Sequence, residues 1–203
     1  MVTADSTQED LRYVRQLAES GAHAPLLGGR FMAWWGLLLT AAYIAHHLAL
    51  GGIIGDGGSI FAIIWAGFSL LGVTGQLVLA RTMPAKSGAG SAGNRATRTI
   101  WMTAAAAIGS MFIGCLAAAG AGAGPATFDW IVPVAFAAYA CALVVTGALA
   151  RSRPTIAAGI GALVMAGLFT ALILSPDRYL VAAAGVAVTV LLPGLVLLKA
   201  EPR

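Results

Sequence analysis

Charge is what this chain has least of. Only 10% of its 203 residues are Asp, Glu, Lys or Arg, where a water-soluble domain carries about a quarter. With 59% of its residues hydrophobic and a mean hydropathy of +0.87, a soluble fold would have nowhere to hide its apolar surface; lipid removes that requirement. Alternating apolar and polar positions are missing as well, which excludes a β-barrel on period. No glycine-rich phosphate loop, zinc-ligand spacing or serine nucleophile elbow occurs, so no enzyme class is indicated. No domain supports nucleic-acid binding, although the net charge is +4. The first thirty residues carry Asp5, Glu9, Asp10 and Glu19, a polar lead unlike a cleavable signal peptide.

What remains is six apolar runs, at residues 31–50, 59–80, 100–122, 130–150, 155–174 and 179–198. Each is long enough to cross a hydrocarbon core of about 30 Å as a helix, the one open-ended form that satisfies its own backbone hydrogen bonds in lipid. The expected fold class is therefore all-α: a polytopic transmembrane helical bundle of six spans. It divides into an N-terminal segment 1–30, a first hairpin 31–80, a Gly/Ser-rich flexible linker 81–99, four helices over 100–198 and a tail 199–203.

Connector charge sets the orientation. Arg12, Arg15, Arg30, Arg81, Lys86, Arg95, Arg98, Arg151, Arg153, Lys199 and Arg203 fall on one set of connectors, leaving only Arg178 of the twelve basic residues on the other, with Asp56, Asp129 and Asp177. The positive-inside rule then places both termini in the cytoplasm of a bacterial inner membrane.

Ahead of the first span, Ser6-Thr7-Gln8-Glu9 has capping-box spacing, and Leu11, Val14, Leu17 and Ala18 share a face. A short amphipathic cytoplasmic helix is expected there. It would lie on the inner leaflet or dock beneath the bundle, and it is the expected contact for a protein partner.

Within the spans, small residues recur every fourth position: Ala106, Ser110, Gly114, Ala118 and Gly122; Ala138, Ala142, Thr146 and Ala150; Ala158, Ala162, Ala166 and Thr170. Such ridges are expected to let neighbouring helices close up, and they leave a homo-oligomer open. Pro133 and Pro193 are expected to kink their helices mildly. Trp34, Trp35, Trp65, Trp101 and Trp130 lie mostly toward span ends and are expected at the lipid–water interface. Cys115 and Cys141 are expected as free, buried thiols, since their depths below the inner face differ, roughly 22 Å against 13 Å.

No acidic or basic residue lies deep in any run, which lowers proton-coupled transport, a function that usually needs one. The candidate polar groups are therefore few. His46 and His47 lie roughly 7 Å below the outer surface, where Asp56, Asp129 and Asp177 approach from the outer turns. Imidazole with carboxylate suits metal or proton chemistry, yet adjacent helical residues point about 100° apart, against a shared ion. Gln76 and Tyr139 are the intramembrane candidates for a neutral-solute path or for interhelical hydrogen bonds. No cofactor is implied; a haem would need a second suitable His in another span.

The stretches Ala24-Pro-Leu-Leu-Gly-Gly-Arg30 into Trp34-Trp35-Gly36, Val132-Pro-Val-Ala-Phe-Ala-Ala-Tyr139 and Leu191-Leu-Pro-Gly-Leu195 resemble a group of small six-helix bacterial inner-membrane proteins. That resemblance implies topology and brings no activity with it. The expected role is a non-enzymatic accessory or regulatory membrane component. A small transporter or channel for a neutral or lipid-like solute is the rival, and an outer-face metal or enzyme site around His46 and His47 the third reading.

Overall fold

A computed structural model describes residues 12, 27–55, 58–81 and 90–200. The amphipathic helix expected between residues 6 and 20, apart from Arg12, and Asp56 and the end of the tail lie outside the described residues. Among the described residues, six helical stretches are long and apolar enough to cross a membrane. They are α1 (Gly29–Leu50), α2 (Gly58–Arg81), α3 (Ala92–Gly120), α4 (Ile131–Leu149, entered through a 3-10 turn at Pro125–Trp130), α5 (Arg153–Ala171), and a sixth span made of α6 (Arg178–Val186), a π turn (Ala187–Leu191) and α7 (Leu192–Ala200).

Local chemistry explains where helices begin and end. The Ser91 hydroxyl accepts from the Asn94 amide at 3.2 Å and starts α3 at Ala92, inside the stretch expected as a flexible linker. A capping serine outweighed the linker-like composition around it. Ser152 caps α5 in the same way through Thr155. α1 and α3 stop alike: the Ile53 amide bonds back to Leu48 and the Ala123 amide to Ala118, with Gly52 and Gly122 at positive φ in the left-handed position that closes such a cap. Arg151 takes that position after α4, at φ 51°.

The helices pack in the order α2, α1, sixth span, α5, α4, α3, so the first and last spans meet at the centre. Backbone approaches there are very close. A methyl group on Gly29 would lie 2.3 Å from the Leu198 nitrogen, one on Gly194 2.5 Å from the Ala33 nitrogen, and one on Gly36 2.8 Å from the Leu191 Cα. α4 and α5 meet similarly through Gly147 and Gly159. Phe136, Phe169, Leu143 and Val186 fill the interior and expose none of their surface.

The sixth span is not a plain α-helix. Pro193 has no N–H to offer the Thr189 carbonyl, and ahead of it the helix widens: the Leu192 amide reaches the Ala187 carbonyl, five residues back. This π turn lies directly ahead of Pro193. Pro133 falls in the first turn of α4, where a missing N–H costs little.

Three expectations need correction. On α3, Ala106, Ser110, Gly114 and Gly122 are exposed and only Ala118 of that ridge is half-buried; the buried stripe is Thr97, Ala104 and Cys115. Cys141 is exposed and only Cys115 is buried, because the core side of α4 falls on Ala140, Ala142 and Leu143. Four of the five tryptophans are not free interfacial anchors but hydrogen-bond a neighbouring helix. Trp34 reaches the Gly72 carbonyl at 3.4 Å, Trp35 the Gln76 Oε1 at 2.9 Å, Trp65 the His46 Nδ1 at 3.0 Å and Trp101 the Thr146 Oγ1 at 3.1 Å. A lone N–H in an apolar setting needs an acceptor, and each of these bonds joins an edge helix, α2 or α3, to its inner neighbour.

Candidate functional site

The connectors 51–55, 121–130 and 172–177 gather at one end of the bundle, and polar side chains converge just inside it. Asp129, in the 3-10 turn before α4, is buried. Its Oδ1 accepts from the Tyr179 hydroxyl and its Oδ2 lies 3.3 Å from Arg178 Nη2. Arg178 Nη1 donates in turn to the Ser175 carbonyl at 3.0 Å, and the guanidinium sits 5.2 Å from the centre of the Tyr179 ring. An ion pair this far from water holds only if its remaining hydrogen-bonding capacity is met. Tyr179 and Ser175 meet most of it.

Tyr179 also carries His46 against its ring. The two rings stack at 3.8 Å between centroids and 26° between planes. Phe61 closes on the imidazole at 4.6 Å, and Trp65 donates to Nδ1, so that nitrogen carries no proton and the neutral ring holds its hydrogen on Nε2. Tyr43 and Phe169 complete the aromatic walls around Tyr179, at 5.9 and 5.8 Å. Residues of α1, α2, α5, the entry to α4 and the start of the sixth span thus meet in one cluster.

The candidates named from sequence separate accordingly. His46 and Asp129 do come together, bridged by Tyr179. His47 turns away and lines a hollow of about 280 Å3 with Leu50, Gly51, Pro176 and Arg178. Asp177 is exposed, and its amide bonds to the Ser175 hydroxyl. Gln76 is held by Trp35, while Tyr139 packs between Trp101 and Phe136. Among the described residues, neither of these two hydrogen-bonds to or stacks on the other or His46.

Among the described residues no group of three His, Cys, Asp or Glu side chains is placed to hold a metal ion. His46 in particular has its ring enclosed by Trp65, Phe61 and Tyr179. Sequence reasoning missed Tyr179 and Trp65, whose roles depend on tertiary contacts. A signal for Arg178 was present, since it is the single cation on its side of the chain.

No protein-family model, curated protein or solved structure matches the chain, so the functional reading rests on its own residues.

Proposed function

We propose that the chain is a polytopic bacterial inner-membrane protein with both termini in the cytoplasm, acting as a non-enzymatic accessory or regulatory component. The observation that carries the reading is the closed interior. Phe136, Leu143, Phe169 and Val186 are fully buried, and His46, Gln76 and Tyr139 are committed to three separate sets of neighbours. A carrier for a neutral solute would need a path joining them.

Lipid accounts for the large apolar residues left outside. Leu70 and Ile113 are 70% and 67% exposed, which water would penalise and hydrocarbon would not. The concentration of arginines on one set of connectors supports the orientation. The segment 1–30 is the proposed contact for a membrane or cytoplasmic partner.

A reporter fused after Arg203 should be active in the cytoplasm and one inserted after Gly52 on the other side; the reverse pattern overturns the orientation. To probe the interior, Ala182→Cys is introduced with Cys115 and Cys141 replaced by Ala. A membrane-impermeant thiol reagent should leave it unlabelled in intact cells. Rapid labelling would instead favour a transporter for a neutral or lipid-like solute. Partner capture that survives deletion of residues 3–22 would move the contact surface elsewhere.

A further inference from the structure

The end of the bundle opposite the Asp129 cluster carries charge of one sign. Helix pairing brings five pieces of chain together there. Trp35 near the start of α1 meets Gln76 near the end of α2, and Gly29 meets Leu198 at the end of the sixth span. The Leu27 amide donates to Asn94 Oδ1 in the first turn of α3 at 2.9 Å. Trp101, bonded to Thr146, sets Arg98 level with the α4–α5 turn. These pieces carry Arg81, Arg95, Arg98, Arg151, Arg153 and Lys199, all exposed. The side-chain carboxylates of the described residues, Asp129 and Asp177, stand at the other end. Arg95 donates to the Gly90 carbonyl, while the guanidiniums of Arg98, Arg151 and Arg153 meet no acceptor among the described residues.

The opposite charge is in the chain itself. Residues 1–26 hold Asp5, Glu9, Asp10 and Glu19 against Arg12 and Arg15, four carboxylates to two guanidiniums and a net −2. Glu201, in the tail, is the one other acid of this end. The point where residues 1–26 leave the bundle is fixed. Leu27 is 1% exposed, Asn94 holds its amide, and a methyl group on Gly28 would touch Thr97 at 3.8 Å. Arg95 and Arg98 follow those two α3 residues directly, so the acidic segment starts out beside them. Glu19 precedes Leu27 by eight residues, a length that spans up to about 27 Å. Packed helix axes lie about 8–10 Å apart, which puts Arg98 on α3 and Arg151 and Arg153 between α4 and α5 within its reach. A tether this short gives an effective concentration on the order of millimolar. The positive-inside rule accounts for the cations at this end, but not for four of its five acids being gathered in one segment anchored among them.

We propose that residues 1–26 dock on this end of the bundle, their carboxylates pairing with Arg98, Arg151 and Arg153. Exposed ion pairs hold a few-fold each, so several act together. Salt releases them, since the screening length falls from about 10 Å at 0.1 M to about 3 Å at 1 M. A partner that takes this segment must compete with the arginines for it. That consequence rests on the partner reading above; the docking itself does not.

Two spin labels on the full chain test it. They are attached at Gln16→Cys and Ala157→Cys, with Cys115 and Cys141 replaced by Ala, and read by double electron–electron resonance. Ala157 is exposed on the first turns of α5. The protein is held in bilayer discs of phosphatidylcholine, whose headgroup has no net charge. One variant neutralises the face, Arg98→Gln with Arg153→Gln, both exposed positions. A second neutralises the segment, Asp10→Asn with Glu19→Gln.

At low salt the labelled protein should give a narrow distance distribution. Either variant, or salt at about 1 M, should broaden it, with the docked population falling about fivefold or more. A broad distribution at low salt without these changes overturns the proposal. So does a narrow one that neither the variants nor salt disturbs, since apolar contacts would then hold the segment. A broad distribution together with phosphatidylglycerol retained in native mass spectrometry, and lost in Arg98→Gln with Arg153→Gln, assigns the arginines to lipid instead and also overturns it. If the arginine variant loses its helical circular dichroism, Asp10→Asn with Glu19→Gln decides, because it changes no residue of the bundle. Partner capture in the deletion of residues 3–22 bears on the partner reading alone, so the two can fail separately.

Discussion

The centre of this bundle and its two edges are held together by different means. Between α1 and the sixth span, and between α4 and α5, glycines bring backbone against backbone, and the surrounding side chains are fully buried. At the edges, α2 and α3 bury few residues of their own and are tied on by indole N–H bonds. The contrast appears within one residue type. The glycines of α2 that touch α1, Gly72 and Gly75, face the Trp35 and Trp34 rings rather than backbone. Apolar surface gives no drive for helices to associate in lipid, so close packing must hold the centre, while a specific hydrogen bond can hold a helix that packs poorly.

Variants can break this comparison. The largest effect is expected at the centre: Gly29→Val or Gly194→Val drives a side chain into backbone that cannot yield, costing about 3 kcal/mol or more and abolishing the folded state in mixed dodecyl sulfate micelles. Next, Asp129→Asn leaves the Arg178 charge without its partner, with an expected loss of about 3 kcal/mol in the same unfolding titration. Tyr179→Phe should cost about 1 kcal/mol, since the ion pair survives it. At the edges, Trp35→Phe or Trp101→Phe removes one hydrogen bond and should cost about 0.6–1 kcal/mol. A double-mutant cycle of Trp35→Phe with Gln76→Leu should return most of that as coupling. The smallest change is expected for Gly114→Ala on α3, where an added methyl meets nothing within 4 Å and helix propensity gains up to about 1 kcal/mol. If the edge variants cost as much as the central ones, the two-mechanism picture fails.

The number of helices and their rough extents were legible because crossing a bilayer is a local demand on length and apolarity, met or not met within each run. Which face of each helix packs was not legible. Both faces are apolar here, so the usual polar–apolar contrast is missing: Leu143 is buried and Val144 beside it exposed, and Cys115 is 2% exposed near Ile113 at 67%. For the same reason the α3 ridge was assigned to packing when it faces outward. The candidate site was half legible. His46 and Asp129 stood out as polar residues at one end, and Arg178 as a misplaced cation. Tyr179 looked like any aromatic residue at a span end until the fold laid it between them. The π turn depends on the neighbours of Pro193, and its position could not be read from the proline alone.

The pairing of the first helix with the last has a consequence for biosynthesis. A chain leaving the ribosome inserts α1 and α2 early, and their indole bonds can form at once; α3, α4 and α5 can likewise assemble as they emerge. Yet the seam that unites these two sub-assemblies is the sixth span, which contacts α1 along its length and α5 on its other side. That span must therefore emerge before the halves can join. A product truncated before Arg178 would reach the membrane as two loosely associated pieces, prone to degradation by quality-control proteases.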